Sequence, residues 1–222
     1  MRAVWAIFAK DLLTELRLRQ MLPTMFVFAV VLVTVFGLAA QTQERISTET
    51  AAGILWLAFT FAGLLATDRA FLSERESRTM AALVAAPVSR PKIFLAKCLV
   101  SAALLLVVQV FTLPLAALFF EGVLHGPGLP LAAVVLLGDA ALVIIGTLAG
   151  ALVAPARTRG PLLTVLALPL LIPVLLFSTH CTAYLVASGW TGEAAKLLLI
   201  LAAFDVIFGA AAYMLFPHVL EP

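Results

Sequence analysis

The sequence predicts an all-α, polytopic membrane protein with six transmembrane helices, and three observations carry that prediction. Of 222 residues, 64% are hydrophobic, against roughly 45–50% apolar usage in soluble domains. Only 12% are charged, and the mean hydropathy is +1.14. The apolar residues also fall into six separate runs, most of them near or above the ~20 residues that cross a bilayer as a helix. A soluble fold of this length still exposes a large area to water, so an ordinary soluble enzyme and a disordered tail are excluded. The net charge of +2 is too small to call for a polyanionic partner, and no nucleic acid is expected.

Taken in order, residues 1–20 read as an interfacial helix. Trp5, Phe8, Leu12 and Leu16 recur at helical spacing, while Lys10, Thr14 and Arg17 lie opposite. Glu15 and Arg19 (i, i+4) interrupt that apolar face. The first span covers about 22–40 and is closed by QTQERISTET. Its basic start and its end at Gly37-Leu38-Ala39-Ala40 imitate a signal peptide, but its length and a flank holding Asp11 and Glu15 read as a retained span. The second span, 51–66, is short and ends at Thr67-Asp68-Arg69. The third, 93–120, contains Pro114 and stops at Glu121-Gly122, where HGPGLP makes a turn. The fourth, 129–154, ends at Pro155-Ala156-Arg157-Thr158-Arg159-Gly160. The fifth, 161–186, carries Pro169 and Pro173, and the sixth, 194–216, follows a small loop around Trp190. The three prolines are expected to kink their helices. Nothing is left over for a soluble domain, so 1–222 reads as a single transmembrane domain.

Loop charges set the orientation. With the N-terminus inside, the inner side holds Arg2, Lys10, Arg17, Arg19, Arg69, Arg75, Arg78, Arg90, Lys92, Lys97, Arg157 and Arg159. Only Arg45 and Lys196 fall outside, so twelve of the fourteen Lys and Arg are inner. Both termini are therefore expected in the cytoplasm. Trp56 and Trp190, near span ends, fit an interfacial aromatic belt.

No catalytic residue is expected. There is no GxxxxGK[ST] to cradle nucleotide phosphates, no HExxH and no GxSxG. No Cys/His cluster has metal-ligand spacing, and Cys98 and Cys181 form no disulfide framework. His125, His180 and His218 are scattered. His180 and Cys181 adjoin near the outer end of the fifth span; packing or interfacial polarity is the stronger reading there than a haem or metal ligand.

The one sizeable inner loop between spans, 68–92, reads DRAFLSERESRTMAALVAAPVSRPK. Ser73, Glu74, Arg75 and Glu76 form a capping box, in which the Ser hydroxyl serves the Glu76 amide and Glu76 reaches back. Glu74 and Arg78 are an i, i+4 pair. Met80, Leu83 and Val84 make an apolar stripe, and Pro87 ends the helix. A short amphipathic helix of this kind suits docking into a groove of a soluble partner. The alternative is a helix resting on lipid headgroups.

At these residues the chain resembles a known family. ERESRTMAALVAAPVSRPKIFLAK is similar to the loop of ABC-2-like permeases and, more narrowly, to that of the haem exporter B family, the membrane subunit of the ABC-type cytochrome c maturation system. The resemblance continues through Arg157-Thr158-Arg159, LLTVLALPLLIPVLL, KLLLILAAFDVIF and the closing Val219-Leu220-Glu221-Pro222. It includes the opening KDLLTELRLRQ, and so covers essentially the whole chain. Arg78 departs from it, since another branch carries Gly after its acidic pair; here the helix stays continuous. The resemblance implies a separate cytoplasmic ATPase that binds the ATP and a second copy of this chain. It also implies further cytochrome c maturation membrane proteins and a periplasmic haem chaperone, with haem as the cargo and the bacterial inner membrane as the location. This chain itself is not expected to bind a cofactor. Two rivals remain: an ABC-2 permease exporting another cargo, and a membrane scaffold through which nothing passes.

Asp139 in the fourth span and Asp205 in the sixth lie near mid-bilayer. A charged Asp there costs about 2.5–3.5 kcal/mol on insertion scales. Such residues face a bundle interior, either lining a route or latch or bonding across helices, here to Gln109 or Thr112. Gly146 and Gly150 form GxxxG, which permits close helix approach.

Overall fold

The computed structural model describes residues 2–19, 21–40, 46–68, 70, 88–120, 122, 125–153 and 159–219. All regular structure among them is helical. In chain order the helices are α1 (Arg2–Leu18), α2 (Met21–Ala40), α3 (Thr48–Asp68), α4 (Arg90–Phe119), α5 (Gly128–Val153), α6 (Arg159–Ser188) and α7 (Gly192–Val219). Six of these, α2 to α7, are long and apolar enough to cross a membrane. They run alternately up and down. The Arg90 guanidinium at the start of α4 donates to the Pro217 carbonyl near the end of α7 at 2.6 Å, so those two ends share one side of the bundle, called here the terminal side. His180 late in α6 meets Glu49 early in α3 at 3.7 Å toward the other side.

Local chemistry sets the helix ends. Helix α3 begins before its apolar run because Ser47 caps it: its hydroxyl accepts the Thr50 amide at 3.1 Å. Ser89 precedes α4, and the proline after it sits in the first turn, where its missing N–H costs nothing. Between α1 and α2 the chain turns sharply at Arg19, whose φ of 50° is a helix-ending conformation. Glu15 then caps α2, accepting the amides of Met21 at 2.6 Å and Leu22 at 3.0 Å. The carboxylate that interrupts the apolar face of α1 is thus the group that starts the next helix.

Helix α3 is the central post, packed by α2, α4, α5 and α6. Its Trp56 and Phe59 are almost fully buried. A second apolar cluster closes the terminal side: Ile93, Phe94 and Cys98 of α4 against Val143 and Ala151 of α5 and Ala212 and Phe216 of α7, with Ile7 of α1 packed on it. Helix α7, and α2 nearly as much, present mostly exposed apolar flanks.

Trp56 departs from expectation. It is not in an interfacial belt but 1% exposed, donating its indole N–H to the Thr182 hydroxyl at 2.9 Å. Trp190, by contrast, is exposed. Lys97, counted above among inner-side charges, is also interior at 2% exposed, in an ion pair with Asp11 of α1 at 2.8 Å. The stripe expected for α1 divides. Trp5 and Leu16 are exposed, Leu12 packs on the core, and the bundle-facing positions are Val4, Ile7, Asp11 and Glu15.

Candidate functional site

Three polar or close-packed features stand out in the bundle. The first lies between α4 and α5. Gln109 and Asp139 come from the middles of their helices, and both are nearly inaccessible. The Gln109 amide Nε2 donates to Asp139 Oδ1 at 2.8 Å. Thr112 is not the partner, because its hydroxyl bonds back to the Val108 carbonyl at 2.6 Å. Asp205 is not part of this bond. It lies on the face of α7 that also carries Leu201, Ala212 and Phe216, all buried. Both its oxygens are buried with no hydrogen-bond partner among the described residues.

The second feature is the GxxxG of α5, which packs against the end of α3. A Cβ at Gly146 would lie 2.5 Å from Thr67 Oγ1, and one at Gly150 would lie 2.8 Å from the Thr67 carbonyl oxygen. Thr67 itself donates to Gly63 O and Leu64 O, both at 3.1 Å. One turn of sequence after another, the two glycines thus receive the last turn of α3, immediately before the loop of 68–92 begins. A third glycine in α5, Gly138, admits the Trp56 ring, with a Cβ there 2.5 Å from one indole carbon and closer still to a second.

The third feature is the start of α4, where that same loop returns. Arg90 is tied to α7 through Pro217 O, and Phe94 packs on Phe216 with ring centroids 4.9 Å apart. Lys97 lies about 10 Å further along the helix and is tied to α1 through Asp11. Both roots of the loop are therefore fixed to other helices, one by shape and one by charge. These contacts join the roots to α5, α7 and α1.

The residues expected to form the amphipathic element of the loop, Ser73, Glu74, Arg75, Glu76, Arg78, Met80, Leu83 and Val84, lie outside the described residues. Sequence reasoning missed the Asp11–Lys97 pair and the role of Thr67. The first had a readable signal, since a lysine several residues inside an apolar run needs an intramembrane partner. Among the described residues, no three His, Cys, Asp or Glu side chains group closely enough to hold a metal ion. Cys98 and Cys181 are free and buried, and His180 is exposed beside Glu49.

Six spanning-length apolar helices, a short leading helix docked on the terminal side, and a rooted loop between the second and third spans define a multi-pass, all-helical membrane protein. Within that class, the chain belongs to the CcmB protein family, whose model matches residues 2–221. It is 32% identical over 201 residues to the "Heme exporter protein B" of Rhodobacter capsulatus, covering 89% of this chain and 88% of that one. It is 34% identical over 150 residues to the "Heme exporter protein B" of Paracoccus denitrificans, covering 65% of each chain.

Proposed function

We propose that this chain is the membrane permease subunit of an ATP-driven complex serving c-type cytochrome maturation, acting in haem export or in release of a haem-loaded periplasmic chaperone. The observation that carries this reading is the family match, which runs from residue 2 to residue 221. Relatives named as haem exporters support haem as the cargo. ATP is hydrolysed by a separate cytoplasmic ATPase, because this chain carries no phosphate-cradling motif. The complex holds a second copy of this chain and further maturation membrane proteins. It sits in the bacterial inner membrane with both termini in the cytoplasm, which the loop charges support.

Energy enters through 68–92. Met80, Leu83 and Val84 are the anchors in a groove of the ATPase, with Ser73, Glu74, Arg75, Glu76 and Arg78 capping or flanking them. The firmly held roots of this loop, at Thr67 and at Arg90 to Lys97, support it as the transmission element.

The test is affinity purification of the full chain from mild detergent, scored for a Walker-motif ATPase and a haem-chaperone partner, alongside a deletion strain scored for covalent haem in c-type cytochromes. Both partners and loss of the cytochromes are expected. Recovery of the chain alone, with normal cytochromes in the deletion strain, would overturn the proposal.

A further inference from the structure

We propose that Asp139 holds a proton in the membrane interior and closes, with Gln109, a neutral ring of two reciprocal hydrogen bonds between α4 and α5. The Gln109 amide N–H already occupies Asp139 Oδ1 at 2.8 Å. The atoms left over are Asp139 Oδ2 and Gln109 Oε1, both buried and both without a partner among the described residues. If Asp139 is ionised, the pair presents two acceptors and no second donor, and buried acceptors are rarely left so. A single proton on Oδ2 would satisfy both at once, Oδ2–H donating to Oε1 as Nε2–H donates to Oδ1. This is the pairing of a carboxylic acid with a primary amide, and no other protonation state of these two groups makes both bonds.

The surroundings point the same way. An ionised carboxylate in an apolar interior needs a cation or several donors. On α4 the nearest described cation along the helix is Lys97, twelve residues from Gln109, or ~18 Å, and it already faces Asp11. Helix α3 brings Trp56 against α5 at Gly138, and α6 brings Ser178 there; the neighbouring His180 lies on the exposed flank beside Glu49. Helix α7 brings an acid. A Cβ at Gly209 would lie 3.7 Å from the Ile144 side chain on the parallel α5. Asp205 is four residues before Gly209 and Asp139 five before Ile144, about 6 and 7.5 Å along their axes. The two carboxyl groups therefore lie at nearly the same depth, and α7 carries no Lys, Arg or His at that level.

The consequence is a clamp whose strength depends on one proton. Protonated, it joins the helix that follows the loop of 68–92 to the helix that receives the end of α3. Loss of the proton removes one of its two bonds and leaves a charge in the bilayer. The inference concerns the fold of this chain and does not depend on what the complex moves.

The experiment is infrared difference spectroscopy of the full-length protein in lipid vesicles at neutral pH. The spectrum of Asp139→Asn subtracted from wild type is expected to show one carbonyl band of a protonated carboxylic acid and no carboxylate bands. Gln109→Leu, or Gln109→Met if the former does not accumulate, is expected to move that band to higher frequency, because its hydrogen bonds are gone. Asp139→Asn is expected to accumulate at the wild-type level, since an amide–amide ring replaces the acid–amide one, whereas Asp139→Leu is expected to accumulate less. Carboxylate bands in the difference spectrum would overturn the proposal. So would an acid band that ignores position 109, or an Asp139→Asn protein that fails to accumulate.

Discussion

Gly138 and Trp56 show how little freedom a single position in this bundle has. A methyl at Gly138 would overlap the benzo edge of the indole, and that ring, 1% exposed and pinned by its bond to Thr182, has nowhere to go. Overpacking of this kind typically costs 1–3 kcal/mol. Gly138→Ala is therefore expected to lower the melting temperature of the detergent-solubilised protein. Trp56→Phe removes the overlapping carbons, so the double variant should lose less than the sum of the singles. Additive losses would show that the ring and the glycine do not share one space. Lys97 is constrained by charge instead. Removing one partner of a buried ion pair costs about 3–5 kcal/mol, while replacing both with apolar groups is often near neutral. Asp11 is partly accessible at 11%, so the lower end of that range applies. Lys97→Met should reduce folded protein in the membrane, and adding Asp11→Leu should restore most of it. A double variant as depleted as Lys97→Met would reject the pair as the cause.

At the level of elements, the close approach of α5 to α3 yields a sharper discrimination. Gly146 faces the side chain of Thr67, whereas Gly150 faces its backbone carbonyl. Thr67→Ala removes the hydroxyl and methyl but cannot move the carbonyl. It should therefore rescue much of the stability lost in Gly146→Ala and none of that lost in Gly150→Ala, as read from thermal unfolding of the four purified variants. Equal rescue of both would mean that α5 shifts as a whole. The sequence carried part of this. Six spans were legible because a long apolar run has few alternatives to crossing a bilayer, and GxxxG was legible as a packing face. Its partner was not, since nothing along one helix says which neighbour it meets. Trp56 was misplaced for a related reason. Where nearly every residue of a span is apolar, the periodicity that separates core from exterior in a soluble helix disappears. In α1 the pattern was visible but its sense was incomplete. Glu15 looked like a flaw in an apolar stripe, yet it and Asp11 are the face that docks, through the first amides of α2 and through Lys97.

For the whole molecule, the proposed function requires that a chemical event in a separate soluble subunit reach helices whose sequence carries no phosphate-cradling motif. The bundle narrows the possible entry points. The loop of 68–92 leaves at Thr67, which is seated in α5. It returns at Arg90, which is tied to α7, and the same helix is joined to α1 at Lys97. The two roots, on α3 and α4, thus contact three further helices, α5, α7 and α1, whereas the sequence from 155 to 160 is too short for a docking helix of its own. If Met80 and Leu83 are the anchors, each is worth about 1 kcal/mol or more of binding, while flanking charges mainly tune rate and salt dependence. Changing Met80 and Leu83 together to Asp should therefore release the ATPase from the purified complex and abolish cytochrome maturation. The level of the chain in the membrane should stay unchanged, because neither residue belongs to a span. Glu74→Gln alone should leave co-purification intact, with any weakening confined to low salt, where charges are least screened. The measurement is the ratio of ATPase to permease in the eluate, normalised to membrane abundance. Full stoichiometry in the double variant, with unimpaired maturation, would remove this loop from the transmission path and leave it a helix resting on the headgroups.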